Sequence, residues 1–387
     1  MFDTSPSGIT RQPQASFARA LDSPLDFMLE QIAISLELPE GKREQAIERY
    51  ESVGRFLNAA DDFKGWFPDI FSQGSFRIGT TTKPWKDSVH DLDFVVQVTP
   101  PNRQSCTPSE LYNRLYRCLA NDGTYVKMLS PKRRCARLTY ANDFYLDILP
   151  AIADPQARGT ELLVPDRDLR CFKGSNPVGF AEWFKVRGEV RILTRAFADS
   201  VQPVPAREET MRPLTRAVQL MKRDRDVYCD RKSAEPTISV VVTTLAGQAY
   251  GGQGDIYEAI DGILRGIWTM IPEKGRLVVL NPTNTKEDFS ERWEDDPAAY
   301  RDFIAWLAEF TQDWRELPSL QGPKLQAKLL HMFGEKPTEF AYAEYGEALR
   351  KARNTGGLGI SRAAGLVTVT QPAAAAVRPH TFHGQGD

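Results

Sequence analysis

The stretch QGSFRIGTTTKPWKDSVHDLDFVVQV, residues 73–98, holds the side chains best suited to chemistry. Asp91 and Asp93 flank a single apolar residue, Leu92, in a run of strand-forming type. Side chains alternate along a strand, so both carboxylates project from one face while Leu92 enters the core. Like charges held that close resist joint ionisation, and the arrangement makes chemical sense when a divalent cation neutralises them. Magnesium suits such a site, taking one or two carboxylates and completing its shell with waters and substrate phosphates. Fifteen residues separate Asp91 from Ser75, which with Gly74 closes the preceding strand pattern. Glycine lets the backbone approach a ligand closely, and backbone N–H groups with the Ser75 hydroxyl are suited to donate to the β and γ phosphates of a nucleoside triphosphate. A third carboxylate, Asp147, stands among apolar neighbours in FYLDILP, where an ionised group is costly unless paired or metal-bound. Asp143 is a rival for that place, but Asn142-Asp143 is a turn signature between two strand patterns, and hairpin chemistry accounts for it. Each piece alone is a weak motif that a solvated strand or turn would also explain; their combination points to metal-dependent phosphate chemistry.

The elements that must position these residues form an α/β half followed by an all-α half, an α+β fold. Apolar residues three and four apart predict two helices over 24–60, broken near Pro39-Glu40-Gly41. Strand patterns cover 71–77, 91–98, 136–140 and 144–149, with one helix over 108–120 entered through a Thr107-Pro108 cap. Beyond residue 177, helical spacing recurs over 180–198, 214–226, 238–250, 255–270, 297–314, 325–333 and 339–353. Residues 1–22 read as a loose leader. From about Thr355 the chain turns to Gly, Ala, Pro and Thr and reads as a tail without a stable core.

A chain of 387 residues with 41% hydrophobic and 10% aromatic residues can bury a sizeable core, in two to three domains or one large catalytic unit. Its 49 basic and 51 acidic residues leave a net charge of −2, which excludes a global field for nucleic acid or anionic membrane. Two local asymmetries remain. Residues 114–140 carry seven basic side chains (Arg114, Arg117, Lys127, Lys132, Arg133, Arg134, Arg137) against Asp122, either a funnel for polyphosphate or a solvated surface. Residues 285–297, TKEDFSERWEDDP, are acidic and read as a solvated helix end anchored by Trp293. Five cysteines without a CxxC pair read as buried structural thiols in a reducing compartment, and the four histidines form no evident metal cluster. With no apolar signal region in the first twenty residues and no stretch long enough to span a membrane, a cytoplasmic location is expected.

In these motifs the chain resembles the cGAS/DncV-like nucleotidyltransferases (CD-NTases), bacterial signalling enzymes of the polymerase-β type. Their Gly-Ser turn, Asp-x-Asp strand and third Asp match Gly74, Ser75, Asp91, Asp93 and Asp147, the last within LDILPAI. SNPVGFAEWF resembles the family's linker between lobes, and PLTRAVQLMKRDRD, EPTISVVVTTLAGQAY, NPTN and EDFSERW resemble its second lobe. The likeness spans roughly residues 25–350. It implies a nucleotidyltransferase lobe over 23–177, a helical lobe over 178–354, and flexible ends at 1–22 and 355–387. It further implies a synthase of a cyclic di- or trinucleotide, made from ATP and in some members GTP or other nucleoside triphosphates with release of pyrophosphate, acting in antiviral (CBASS) defence. Two Mg2+ ions, replaceable by Mn2+, would bind Asp91, Asp93 and Asp147, which are also the catalytic candidates. Candidates for nucleotide binding are Gly74, Ser75, Lys222, Ser239, Asn176 and Arg137, with Asn176 in the linker suited to base selection. KRDRD around Lys222 also fits a solvated helix face. No membrane or duplex nucleic acid partner is implied; the tail offers a handle for a regulatory partner, though an unstructured end explains it as well. Alternatives on the same core are a linear oligonucleotide synthase, a transferase acting on tRNA ends or proteins, or an inactive nucleotide-binding scaffold.

Overall fold

The computed structural model describes residues 23–86, 89–101, 106–140, 144–188 and 212–355, together with the backbone of three short strands further on. Asp143, the leader, and the helix expected beyond residue 188 lie outside the described residues.

The alternating runs around Asp91–Asp93 and Asp147 become the centre of a seven-stranded sheet. Its strands are β1 (Asp69–Ser72), β2 (His90–Val98), β3 (Leu129–Pro131), β4 (Ala136–Tyr140), β5 (Phe144–Ala153), β6 (Leu162–Asp166) and β7 (Cys171–Ser175). They run in the order β1-β2-β5-β4-β3, with β6 on β5 and β7 on β6. Central β2 and β5 pair in parallel, which requires a crossover; the chain makes it through a helix, Pro108–Ala120, and the β3–β4 hairpin. That helix starts as expected: Glu110 N donates to the Thr107 hydroxyl at 3.2 Å while Thr107 N donates to the Glu110 carboxylate at 2.9 Å, a reciprocal capping box. One face of the sheet is covered by this helix and by the helix Glu40–Ala59, through Val53, Leu57, Phe94, Leu115 and Leu146. A smaller cluster with Phe71, Val95 and Val164 fills the other.

Two strand limits differ from expectation. β1 stops at Ser72, and Gly74–Ile78 is a short helix, because Gly74 adopts φ +61 and ends the extended run. β5 continues past Pro150 to Ala153; the proline falls where β4 has stopped pairing and β6 has not begun. The β6–β7 pair and a second hairpin, Leu280–Asn281 with Asn284–Asp288, carry no strong alternation and were not expected.

The helical half is built on the aromatic face of the helix Pro297–Glu316, where Phe303, Trp306, Phe310 and Trp314 are fully or nearly buried. Its core also takes the first helix, Pro24–Ser35, through Met28, Leu29 and Ile32. The buried Asp26 carboxylate accepts from Ile256 N at 2.7 Å, at the start of the helix Ile256–Met270 that Asp255 caps. The first helix therefore packs with the helical half, whereas the sequence boundaries group it with residues 23–177.

The halves meet again at the 280–291 hairpin. Ser175 Oγ and Asn176 N donate to the Glu287 carboxylate at 2.9 and 3.2 Å, and Arg134 pairs with Glu291 at 2.5 Å. Residues 285–297 are thus not simply a solvated helix end: Glu287 is largely buried, and burial pushes its carboxyl up despite its donors. Trp293 is the buried anchor expected of it. The five cysteines are free thiols. No described helix is long and apolar enough to cross a membrane. Within the segment read as a tail, Leu358–Ser361 pairs antiparallel with Gly365–Thr368 and with Ala375–Ala376, an order its composition did not announce.

Candidate active site

Parallel pairing aligns Asp93 with Asp147 and Asp91 with Tyr145, so the pleat delivers all three carboxylates to one face. Leu92 and Leu146 point the other way, into the core. The carboxylates differ in depth: Asp91 has 59% of its side chain exposed, Asp147 15%. Asp93 is partly buried, and that burial, reinforced by the negative charges of Asp147 and Asp91, pushes its carboxyl up to about 7. Burial also raises Asp91, with Arg137 opposing. Among the described residues none donates a hydrogen bond to the Asp93 carboxylate.

Antiparallel pairing of β4 on β5 brings Arg137 opposite Asp147. Its guanidinium donates to both Asp147 oxygens, at 2.7 and 2.8 Å, and to Asp91 Oδ1 at 3.3 Å. These residues fit a divalent cation: three carboxylates share a face, Asp93 accepts from no described donor, and a guanidinium already stands as a cation between the other two.

Gly74 touches the same cluster. A Cβ at that position would lie 2.8 Å from Asp93 Oδ2, so the residue must be glycine for two reasons, its φ of +61 and this approach. Ser75 follows at the mouth of the site, its hydroxyl accepting from Thr81 Oγ1 at 3.3 Å. Thr80 N closes the turn onto Ser75 O at 2.9 Å, beyond Gly79 at φ +74.

Ser75 and Asp91 line a cleft of about 760 Å3 whose opposite wall is the helix Pro213–Lys232. Lys222 lines that wall, buried, with Nζ donating to Thr80 O at 2.8 Å. Burial, aided by nearby Arg225, lowers its ammonium to about 8. The solvated-face alternative for KRDRD is overturned: Lys222, Arg223, Asp224 and Arg225 are buried and Asp226 is partly so, because this helix runs through the middle of its half. Arg225, which sequence reasoning passed over, also lines the cleft and donates to Thr237 O at 2.6 Å and Ser239 Oγ at 3.2 Å. The signal was its spacing, three residues from Lys222 and hence on the same helix face. Ser239 lines the cleft.

Asn176 is not. It caps the helix Pro177–Arg187, its Oδ1 accepting from Gly179 N at 3.0 Å and Thr160 Oγ1 at 2.8 Å, while Nδ2 donates to Thr283 O at 3.1 Å. With its amide spent on the joint between halves, it has no part in the cleft. Nor do residues 114–140 act as one basic funnel. Arg133 and Arg134 pair with Asp166, Arg114 lies 4.0 Å over the Trp66 ring, and Arg137 is the member that reaches the carboxylates. A separate acidic group, Glu309 and Asp313 with His331, lies on the helical half and is matched by Arg231 and Lys328.

The model of the Second Messenger Oligonucleotide or Dinucleotide Synthetase domain (SMODS) matches residues 25–187. The chain is 31% identical over 368 residues to the c-di-GMP synthase of Roseivirga ehrenbergii, a match spanning 93% of this chain and 97% of that one. It is 26% identical over 403 residues to the cyclic dinucleotide synthase CdnG of Bradyrhizobium diazoefficiens, spanning 94% and 95%. The structure of the CD-NTase CdnG of that bacterium in complex with GTP is similar in fold, with a TM-score of 0.69 at 23% identity over 84% of this chain and 99% of that one.

Proposed function

The chain belongs to the CD-NTases, and from that footing we propose that it joins two molecules of GTP into a cyclic dinucleotide, releasing a pyrophosphate at each step. The observation that carries the reading is the set of Asp91, Asp93 and Asp147 on one face of the β2–β5 pair, with Asp91 lining the cleft walled by Lys222 and Arg225. The choice of guanine and of a dinucleotide is supported by full-length likeness to a protein named c-di-GMP synthase. Family resemblance alone allows ATP and a trinucleotide.

Asp91, Asp93 and Asp147 would hold divalent cations of the magnesium type, which would supply neutralisation of the triphosphate charge and activation of the attacking hydroxyl. Gly74 and Ser75 offer backbone and hydroxyl donors to the terminal phosphates of the donor nucleotide. Lys222 and Arg225 meet the same phosphates from the helical wall, with Ser239 held beside them. Asp147 takes the proton of the attacking ribose hydroxyl. The hydroxyl oxygen bonds to the α-phosphorus in line as the bond from that phosphorus to pyrophosphate breaks. A second round between the ends of the linear intermediate closes the ring. The family resemblance supports a role for the product as an alarm in defence against phage; on that reading, cells carrying the gene should resist phage when Asp91 and Asp93 are intact and lose that resistance when both are alanine.

Purified protein given all four ribonucleotides and Mg2+ should yield a phosphatase-resistant product with the mass of cyclic di-GMP. Asp91→Ala with Asp93→Ala should abolish it. A phosphatase-sensitive product would instead support the linear synthase. A purely adenine product would overturn the choice of guanine, and turnover surviving the double substitution would overturn the site.

A further inference from the structure

Among the described residues, Arg137 is the one basic side chain hydrogen-bonded to the carboxylates, and the proposed metal chemistry gives it no part. Its position follows from the sheet: β4 register sets it opposite Asp147, and the ring of Tyr145, two residues earlier on β5, lies 4.4 Å beneath its guanidinium. Its neighbours in sequence, Arg133 and Arg134, are drawn off to Asp166. The fork is bidentate to Asp147 and reaches Asp91 with the same Nη2. Short, charge-assisted bonds of this kind are the strong ones, and they occupy both oxygens of Asp147. A cation ligated by Asp147 must therefore share an oxygen with Arg137, and the two positive charges compete for it.

We propose that Arg137 is the resident counter-cation of the triad, a positioning residue that sets the affinity for divalent metal and links it to nucleotide binding. Without metal it neutralises Asp147 and Asp91 and holds them together on one face of the sheet. When metal enters, the guanidinium yields part of Asp147 and stays over Tyr145, beside Asp91 of the cleft wall, where polyphosphate oxygens become its new acceptors. Metal and nucleotide then favour each other, because each relieves what the other displaces, and the coupling is reciprocal. This rests on the metal reading of the triad given above.

The test is Mn2+ binding, measured by titration calorimetry on the folded full-length chain with and without a non-hydrolysable GTP analogue. Arg137→Gln should bind Mn2+ about tenfold more tightly than wild type, the scale of one charge-assisted hydrogen bond surrendered, and should melt earlier in chelator. The analogue should tighten Mn2+ in wild type and do so far less in Arg137→Gln. Arg137→Lys keeps the charge without the fork and should fall between, which serves equally if the glutamine variant does not fold. The gain must vanish in Arg137→Gln with Asp147→Asn. Unchanged or weaker Mn2+ affinity in both single variants would overturn the proposal while leaving the metal site standing. No Mn2+ binding by any of these proteins would overturn the metal reading and the proposal with it.

Discussion

Replacing Gly74 by alanine probes the contact between the Gly-Ser turn and the Asp93 carboxylate. Two costs are separable. The first is backbone strain: φ of +61 costs an L residue about 1–2 kcal/mol. The second is displacement. The new Cβ would lie 2.8 Å from Asp93 Oδ2, where ordinary contact begins at 3.4 Å, so the carboxylate must retreat by about 0.6 Å. Misplacement on the order of 1 Å at a reacting centre costs roughly a hundredfold in rate, so kcat should fall about 10- to 100-fold. Gly79→Ala is the matched control: its φ is +74, but nothing lies within 4 Å of the position. It should lose the same stability and keep kcat within about threefold, since strain without displacement leaves the reacting groups in place. Thermal melts and product formation at saturating GTP and Mg2+ read the two costs separately. Turnover of Gly74→Ala near wild type, or an equal loss in Gly79→Ala, would refute the claim that Gly74 sets the position of Asp93.

Asp93, raised from the ordinary 3.8 to about 7 in the folded chain, holds its proton where the unfolded chain has released it. Metal-free stability should therefore fall as pH rises from about 4 to about 7, by up to about 4 kcal/mol. Stabilisation by Mn2+ should grow over the same window and level off above it; melts at pH 5.5, 7 and 8.5 giving a pH-independent metal shift would contradict this. Lys222→Met keeps the buried stem but removes the charge and its bond to Thr80 O, and should raise KM for GTP about tenfold or more; initial rates across GTP concentration decide it. Asn176→Ala loses a helix cap, about 1 kcal/mol of stability, and should leave the ratio of guanine to adenine product unchanged. A shifted ratio would return Asn176 to base selection.

The chemistry was legible because strand alternation is a local rule. Asp91 and Asp93 share a face whatever the rest of the chain does, and Asp147 among apolar neighbours announces a need for a counter-charge. Helices were legible where an apolar stripe met a cap, as at Thr107-Pro108. Misreadings arose where distant partners override local pattern. KRDRD alternates in sign as surface helices do, yet it is largely buried, because Arg223 and Lys222 reach the carbonyls of Lys83 and Thr80 and Asp224 accepts from Trp306 Nε1 at 2.9 Å. The first helix, sequence-adjacent to the sheet, packs with the helical half because its apolar stripe fits there. The hairpin at 280–288 has too few alternating residues to show before Ser175 and Asn176 supply donors for Glu287.

Composition and motif thus determined which groups could bind metal and phosphate, since residue type and a period of two are properties of the chain alone. Tertiary structure decided their mutual placement. Only the parallel register of β2 on β5 sets Asp93 beside Asp147, only the β4 register brings Arg137 to them, and only the docking of Pro213–Lys232 across the cleft puts Lys222 and Arg225 opposite. Register and docking depend on pairing energies between segments far apart in the chain, which no local pattern carries.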